Sequence, residues 1–354
     1  MCEPRLSRRD SASARVPSPP TLRPVFDECV IRGRRLGPAR FSAPLAGFSH
    51  SAFRRLVGEL GGTGAVWTEM LAAKQLVHED FARSPWVRRR PSDGFTFHQL
   101  MVRAGDPLDR VLGRLGEHGV EAVDLNLACD AFSIRASEAG SALFENLEAL
   151  RWVVTTARQH WPGILTAKIR LGSRHPEWEA RLIERLRVIE DAGLDALIVH
   201  PRFFEDKFRR RAQLELLPWV ASLTRLPLIA NGDLSGPADL ETRGAPLTAA
   251  VGVMIGRMAV AQPWLFASWN GAPAPDPAAI WQRMSHYLEE DFPPITALRR
   301  LRMFTKYFAA NYAFGHGFWV EVDNAPDMEA ARRCGEAFFA RTPQRLSRVV
   351  VAGL

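Results

Sequence analysis

Between residues 41 and 257 a short apolar run is followed, again and again, by a longer amphipathic one, and this alternation constrains the fold more than any single motif. The apolar runs are FSAPLAG (41–47), AVWTEM (65–70), FTFHQLMV (95–102), AVDLNL (122–127), LTAKIR (165–170), ALIVH (196–200), PLIAN (227–231) and VGVMIGR (251–257). Between them lie stretches such as SAFRRLVGEL and WEARLIERLRVIEDAG, whose apolar residues recur near i, i+3, i+4 and i+7 as in surface helices. Several end in Gly, a helix C-cap signal. Parallel strands need a crossover, and here the crossovers are helical, so eight such units predict an α/β fold: a (β/α)8 TIM barrel. An open doubly wound sheet is the alternative. No G-x-G-x-x-G follows the first strand, which weighs against it.

After Phe266 a Pro-rich link, NGAPAPDPAAI, leads into helical sequence without strand signal. We therefore expect a barrel over residues 37–272 and a small C-terminal helical bundle over 273–354. Residues 1–36 carry eight Arg against four Asp or Glu, +4 of the net +7, in a Ser- and Pro-rich context that predicts a disordered basic tail. No apolar run reaches the roughly 18 residues of a membrane span. The cysteines at 2, 29, 129 and 334 lack disulfide or metal-ligand spacing, which predicts a cytoplasmic setting and no metal. No secretory h-region or cleavage site stands at the N-terminus. A monomer is expected.

Loops that follow barrel strands open onto the active face. Cys129, in VDLNLACDAF after the fourth run, would point at substrate there, although a single Cys is commonly a small buried apolar residue. Gln99 and Asn126 bring amides to the same mouth, Lys168 a cation and His200 a ring donor. Together these groups suit the edge of a flat polar heterocycle carrying negative charge. The apolar flanks of Lys168 predict burial, where an ammonium needs an anion nearby. Asn231-Gly232-Asp233 and Gly256-Arg257 follow the last two runs, where barrels hold phosphate on backbone amides, with Arg257 adding charge-assisted bonds.

Basic residues cluster at Arg88, Arg89 and Arg90, and at Lys207, Arg209, Arg210 and Arg211; each cluster is either a solvated loop or a phosphate contact. Arg299, Arg300, Arg302 and Lys306 recur at helical spacing, either as the wet face of an ordinary amphipathic helix or, together with the 207–211 cluster, as an RNA-binding face on the C-terminal bundle with Arg299 and Arg302 contacting the substrate.

Taken in order, APLAGFSHSAFRRLVGELG, VWTEM, DLNLAC, TAKIR, VHPR, LIANGD and VMIGRMAVAQPWLF resemble the tRNA-dihydrouridine synthases over residues 41–266, and more loosely over 280–340. The resemblance implies a barrel carrying FMN, reduced by NADPH, that reduces uridine in tRNA at the C5–C6 double bond. It also implies that Pro44 and Leu45 lie beside the flavin, that Gln99, Lys168 and His200 contact its ring or ribityl chain, and that Asn231, Gly232, Asp233, Gly256 and Arg257 hold its tail and phosphate. Asn126 would help hold the uracil, and Cys129 would be the general acid.

The chain departs from the family pattern in places. Ala128-Cys129-Asp130 stands where G-C-P is usual, Leu45 replaces a common Met, Pro201 stands where H-G-R is usual, and the basic positions after the cysteine reduce to Arg135. Two other readings remain: an FMN barrel reducing a free pyrimidine or another small ene-carbonyl, and a non-catalytic RNA-binding paralogue.

Overall fold

The computed structural model describes residues 26–207, 209–269 and 271–351. Its centre is a closed parallel barrel of β1 (Arg40–Ser42), β2 (Ala65–Trp67), β3 (Thr96–Met101), β4 (Ala122–Leu127), β5 (Ile164–Ile169), β6 (Ala196–Val199), β7 (Leu228–Asn231) and β8 (Gly252–Ile255). Each strand pairs in parallel with the next, and β8 pairs with β1. That last pairing excludes the open sheet. Each expected apolar run overlaps one strand, and β1 and β5 begin one residue before theirs, at Arg40 and Ile164.

Every residue of β4 and β5 is buried, as befits strands with helices outside and a packed interior within. Side chains two apart share a face. The register sets Gln99 beside Asp124, Asp124 beside Thr166, and Asn126 beside Lys168, so these polar groups form one continuous patch inside the barrel.

The tail expected over residues 1–36 is corrected at its C-terminal end. Cys29–Ile31 and Arg34–Leu36 pair as an antiparallel hairpin, turning at Arg32 and Gly33, both at positive φ. Cys29, Ile31 and Leu36 alternate with charged or exposed positions, and this short amphipathic pattern lets the hairpin bury one side. Arg32 bonds Asp195 and Arg34 bonds Glu121, both at 3.1 Å; these carboxylates immediately precede β6 and β4, so the hairpin covers the N-terminal end of the barrel. Residues 1–25 of that expected tail lie outside the described residues.

Helices Pro277–Asp291, Pro294–Phe308, Gly315–Asn324 and Met328–Ala340 pack around the fully buried Trp281. Gly335 is required there, since a Cβ would lie 2.3 Å from the indole. Against the barrel, Arg55 of helix Ser51–Leu60 bonds Glu290 at 2.7 Å and covers the Tyr287 ring at 3.6 Å. Asp291 accepts from Ser51, Arg88 and Arg90. Arg88 and Arg90 are therefore tied to a buried carboxylate of the helical bundle, which corrects their reading as a solvated loop or a phosphate contact. No described helix is long and apolar enough to cross a membrane.

Candidate active site

A cavity of about 350 Å³ opens where the C-terminal ends of the strands meet the helical bundle. Its lining includes Pro44, Leu45, Gln99, Asn126, Cys129, Lys168, His200, Asn231, Gly232, Asp233, Gly256 and Arg257. The structure thus brings together the barrel residues expected beside the flavin or the uracil. Phe48, Met70, Arg170, Met254 and Tyr307 also line it.

Three side chains form a relay on one wall. Gln99 Nε2 donates to Asp124 Oδ2 at 2.7 Å, and Gln99 Oε1 accepts from Asn126 Nδ2 at 2.9 Å. Asn126 Oδ1 then accepts the backbone N–H groups of Ala128 (3.2 Å) and Cys129 (3.0 Å). Asp124 anchors the relay and also accepts from Thr166 Oγ1 at 2.7 Å; burial pushes its carboxyl up to about 6. Asn126, expected on the substrate, has its carbonyl committed to the loop that carries Cys129. The Cys129 thiol is free, half-buried and faces the cavity.

Beside the relay the wall is cationic. Among the described residues Lys168, Arg170 and Arg257 line the cavity against one lining carboxylate, Asp233, a formal balance of +2. Burial, then the neighbouring Arg170, lowers the Lys168 ammonium to about 8. Burial and Lys168 hold His200 well below its ordinary value, so its ring is neutral. Arg202 Nη1 lies 2.9 Å from His200 Nε2. A guanidinium has only donors, so Nε2 accepts and the ring proton belongs on Nδ1. Asp233, expected to hold a ligand directly, accepts from Arg202 at 2.6 and 2.7 Å, from Ala212 N at 2.7 Å and from Arg257 at 3.3 Å. It acts as the keystone that aims two guanidiniums. Gly232 lies at φ +115°, and a Cβ there would meet the His200 ring at 2.5 Å, so only glycine lets the loop pass. Amide edges, a neutral imidazole and surplus cations beside apolar Leu45, Met254 and Val260 fit a flat heterocycle with an anionic tail.

The substituted residue beside the thiol has a partner. Asp130 lies 3.6 Å from Arg170 Nη1, so its charge is countered within the site.

The basic helix divides into three roles. Arg300 is buried, 3.6 Å from Glu69 Oε1 and over the Trp86 ring at 4.8 Å, which removes it from the expected RNA face. Arg302, expected on the substrate, donates from Nη2 to Ala325 O at 2.7 Å and thereby joins two helices. Arg299 and Lys306 are exposed, and neither lines the cavity. Tyr307 of the same helix does line it, packed edge-on to Phe48 at 5.2 Å. In the other cluster, Lys207, Arg209, Arg210 and Arg211 are all exposed.

Asp124, Arg170, Arg202 and Tyr307 carry no expectation from the sequence. Three of them leave a signal in it: Asp124 is an acid two residues before Asn126 in an otherwise apolar strand, Arg170 stands two after Lys168, and Arg202 stands two after His200. Tyr307 leaves none, because its partner Phe48 is far away in the chain.

The family model described as dihydrouridine synthase matches residues 41–330. The chain is 29% identical over 311 residues to tRNA-dihydrouridine synthase B of Escherichia coli (strain K12), covering 82% of this chain and 89% of that one. It is 27% identical over 308 residues to the Proteus vulgaris protein of the same name, covering 82% and 88%. Among solved structures it superposes on histamine dehydrogenase from Rhizobium sp. 4-9 with TM-score 0.54 and 14% identity, over 79% of this chain but only 51% of that larger one. TcOYE with pHBA gives TM-score 0.51 and 11% identity over 74% of this chain and 97% of the other. At such identities these two structures speak to the fold alone.

Proposed function

Because the chain belongs to the dihydrouridine synthase family, we propose that it is an FMN enzyme, reduced by NADPH, that converts uridine to 5,6-dihydrouridine in tRNA, acting as a monomer in the cytoplasm. The observation that carries this reading is the meeting of the Cys129 thiol with Lys168, Arg170 and Arg257 around one cavity.

When bound, FMN supplies a hydride to uracil C6. Lys168, Gln99 and His200 would hold the flat ring by hydrogen bonds and positive charge, while Arg257, aimed by Asp233, and the backbone at Gly232 and Gly256 would hold the phosphate. Cys129 delivers its Sγ proton to uracil C5 as negative charge builds there, and the resulting thiolate recovers a proton from solvent. Asn126 keeps the Cys129 loop in place for that transfer. Tyr307 makes the helical bundle part of the cavity wall, which favours a polymeric substrate spanning both parts of the chain over a free pyrimidine.

The purified protein should be yellow and release FMN on denaturation. Mapping dihydrouridine in RNA from cells with and without the gene should show a position lost only in the deletion. Cys129→Ala should keep the flavin and the oxidation of NADPH by oxygen while slowing tRNA reduction by about 10² to 10⁴. A wild-type rate of tRNA reduction in that variant would remove Cys129 from the mechanism.

A further inference from the structure

The loop after β4 leaves the cavity wall at Cys129 and returns at Gly140, and its two ends are clamped. Ser141 N donates to Cys129 O at 2.8 Å, Asn126 Oδ1 holds the amides of Ala128 and Cys129, and a Cβ at Gly140 would lie 2.5 Å from Cys129 O. Between these clamps, residues 130–138 stand out from the barrel with no fully buried residue. Phe132, at the start of the short helix Phe132–Ala136, is 89% exposed. Its neighbour Ile134 is half-buried, and a Cβ at Gly140 would meet it at 2.9 Å. At 100° per residue, position 132 lies about 200° from 134, so Phe132 faces away from the loop's own anchor.

Phe132 offers a whole ring face to water three residues from the Cys129 thiol, and covering that face would remove apolar surface from water. The charge of the excursion identifies what covers it. Within residues 130–138 (DAFSIRASE) Asp130 is countered by Arg170, and Arg135 balances Glu138, so the excursion presents no surplus of positive charge. A phosphate backbone gains nothing there, whereas a base offers a face to stack on without regard to charge. A uridine that enters the cavity must leave its stack, and its neighbour is then left with one face bare.

We propose that Phe132 is a stacking platform for the nucleobase that flanks the target uridine. This rests on the RNA-reducing function proposed above. Phe132 covers the face that the departing uridine exposes on its neighbour, three residues along the chain from the thiol that protonates the uridine.

The test uses the full-length flavoenzyme and unmodified tRNA transcripts, with binding and dihydrouridine formation measured at several salt concentrations. Phe132→Ala should weaken tRNA binding and lower kcat/KM by about 5- to 100-fold, leave flavin content and reduction by NADPH unchanged, and leave the slope of log affinity against log salt unchanged. Phe132→Trp should restore wild-type behaviour, and Phe132→Leu should resemble Ala. Full rescue by Leu, a flattened salt slope, or unchanged affinity and rate in Phe132→Ala would each overturn the platform while leaving the enzyme's function standing. A wild-type enzyme that forms no dihydrouridine in any tRNA would overturn both.

Discussion

Arg90 reaches across 201 residues of sequence to place Nη2 2.6 Å from Asp291 Oδ1, and it makes the junction of barrel and helical bundle ionic at its centre. Arg88 and Ser51 donate to the same carboxylate, which is fully buried while the two guanidiniums are about three-quarters buried. Removing one partner of such a group leaves charges uncompensated, and this costs more than the intact pair contributes. Asp291→Ala should therefore destabilise the protein by about 3 kcal/mol, measured as a lowered urea midpoint. Arg89→Ala, an exposed residue of the same cluster, should shift it by less than about 0.5 kcal/mol.

The cationic wall should make ligand binding depend on pH. Lys168 has its ammonium lowered from an ordinary 10.5 to about 8 by burial and by Arg170. Its folded value lies below its unfolded one. Between pH 8 and 10.5 the unfolded chain thus holds the extra proton, and the ligand-free protein gains stability as pH rises across that window. An anion prefers the protonated form, so FMN affinity should begin to fall at about pH 8, by up to tenfold per pH unit. Flavin fluorescence titrations of the wild type and Lys168→Met should separate the effect. The variant should bind more weakly at pH 7 and lose this pH dependence; an identical profile in both would assign it to another group.

Asn126 should act through the loop it holds. Asn126→Ala strips the acceptor from two backbone amides, at a stability cost of about 1 to 3 kcal/mol. It should speed hydrogen exchange at Ala128 and Cys129 and slow tRNA reduction while flavin remains bound. Asn126→Asp keeps both loop bonds and loses the donor to Gln99, so its exchange at Ala128 and Cys129 should stay slow. Fast exchange in the Asp variant as well would mean that Gln99, rather than the loop acceptor, fixes the loop.

The contrast between Arg88–Arg90 and Lys207–Arg211 shows where sequence reading stops. Both are short basic runs beside apolar segments, and nothing local separates them. In the first, Arg88 and Arg90 pair with Asp291, some 200 positions away, while the second stays in water. The eight strands are legible because burial on both faces writes itself as a continuous apolar run, and the lining residues because barrel loops after strands share one mouth. Asp124 shows in the sequence only as an acid inside an apolar run, and its role as anchor becomes visible through Gln99 and Thr166, its neighbours in register. The hairpin escapes sequence reading because three-residue strands are too short for their alternation to stand out from a basic tail.

Arg299, Arg302 and Lys306 share a helix but should respond differently to substitution. Arg299 is exposed, and Lys306 is exposed with Nζ 5.1 Å from the Trp319 ring centre, which leaves its charge open to solvent. Arg302 is partly buried, and its Nη2 is committed to Ala325 O at 2.7 Å. If tRNA follows this helix toward Tyr307 and the cavity, Arg299→Ala and Lys306→Ala should each flatten the slope of log affinity against log salt by about one unit without lowering the melting temperature. Arg302→Ala should instead cost about 1 kcal/mol of stability and leave the slope near that of the wild type. Filter-binding titrations at four salt concentrations, paired with thermal melts, decide between the roles. Unchanged slopes in Arg299→Ala and Lys306→Ala would move the RNA path off this helix and toward the exposed Lys207–Arg211 loop.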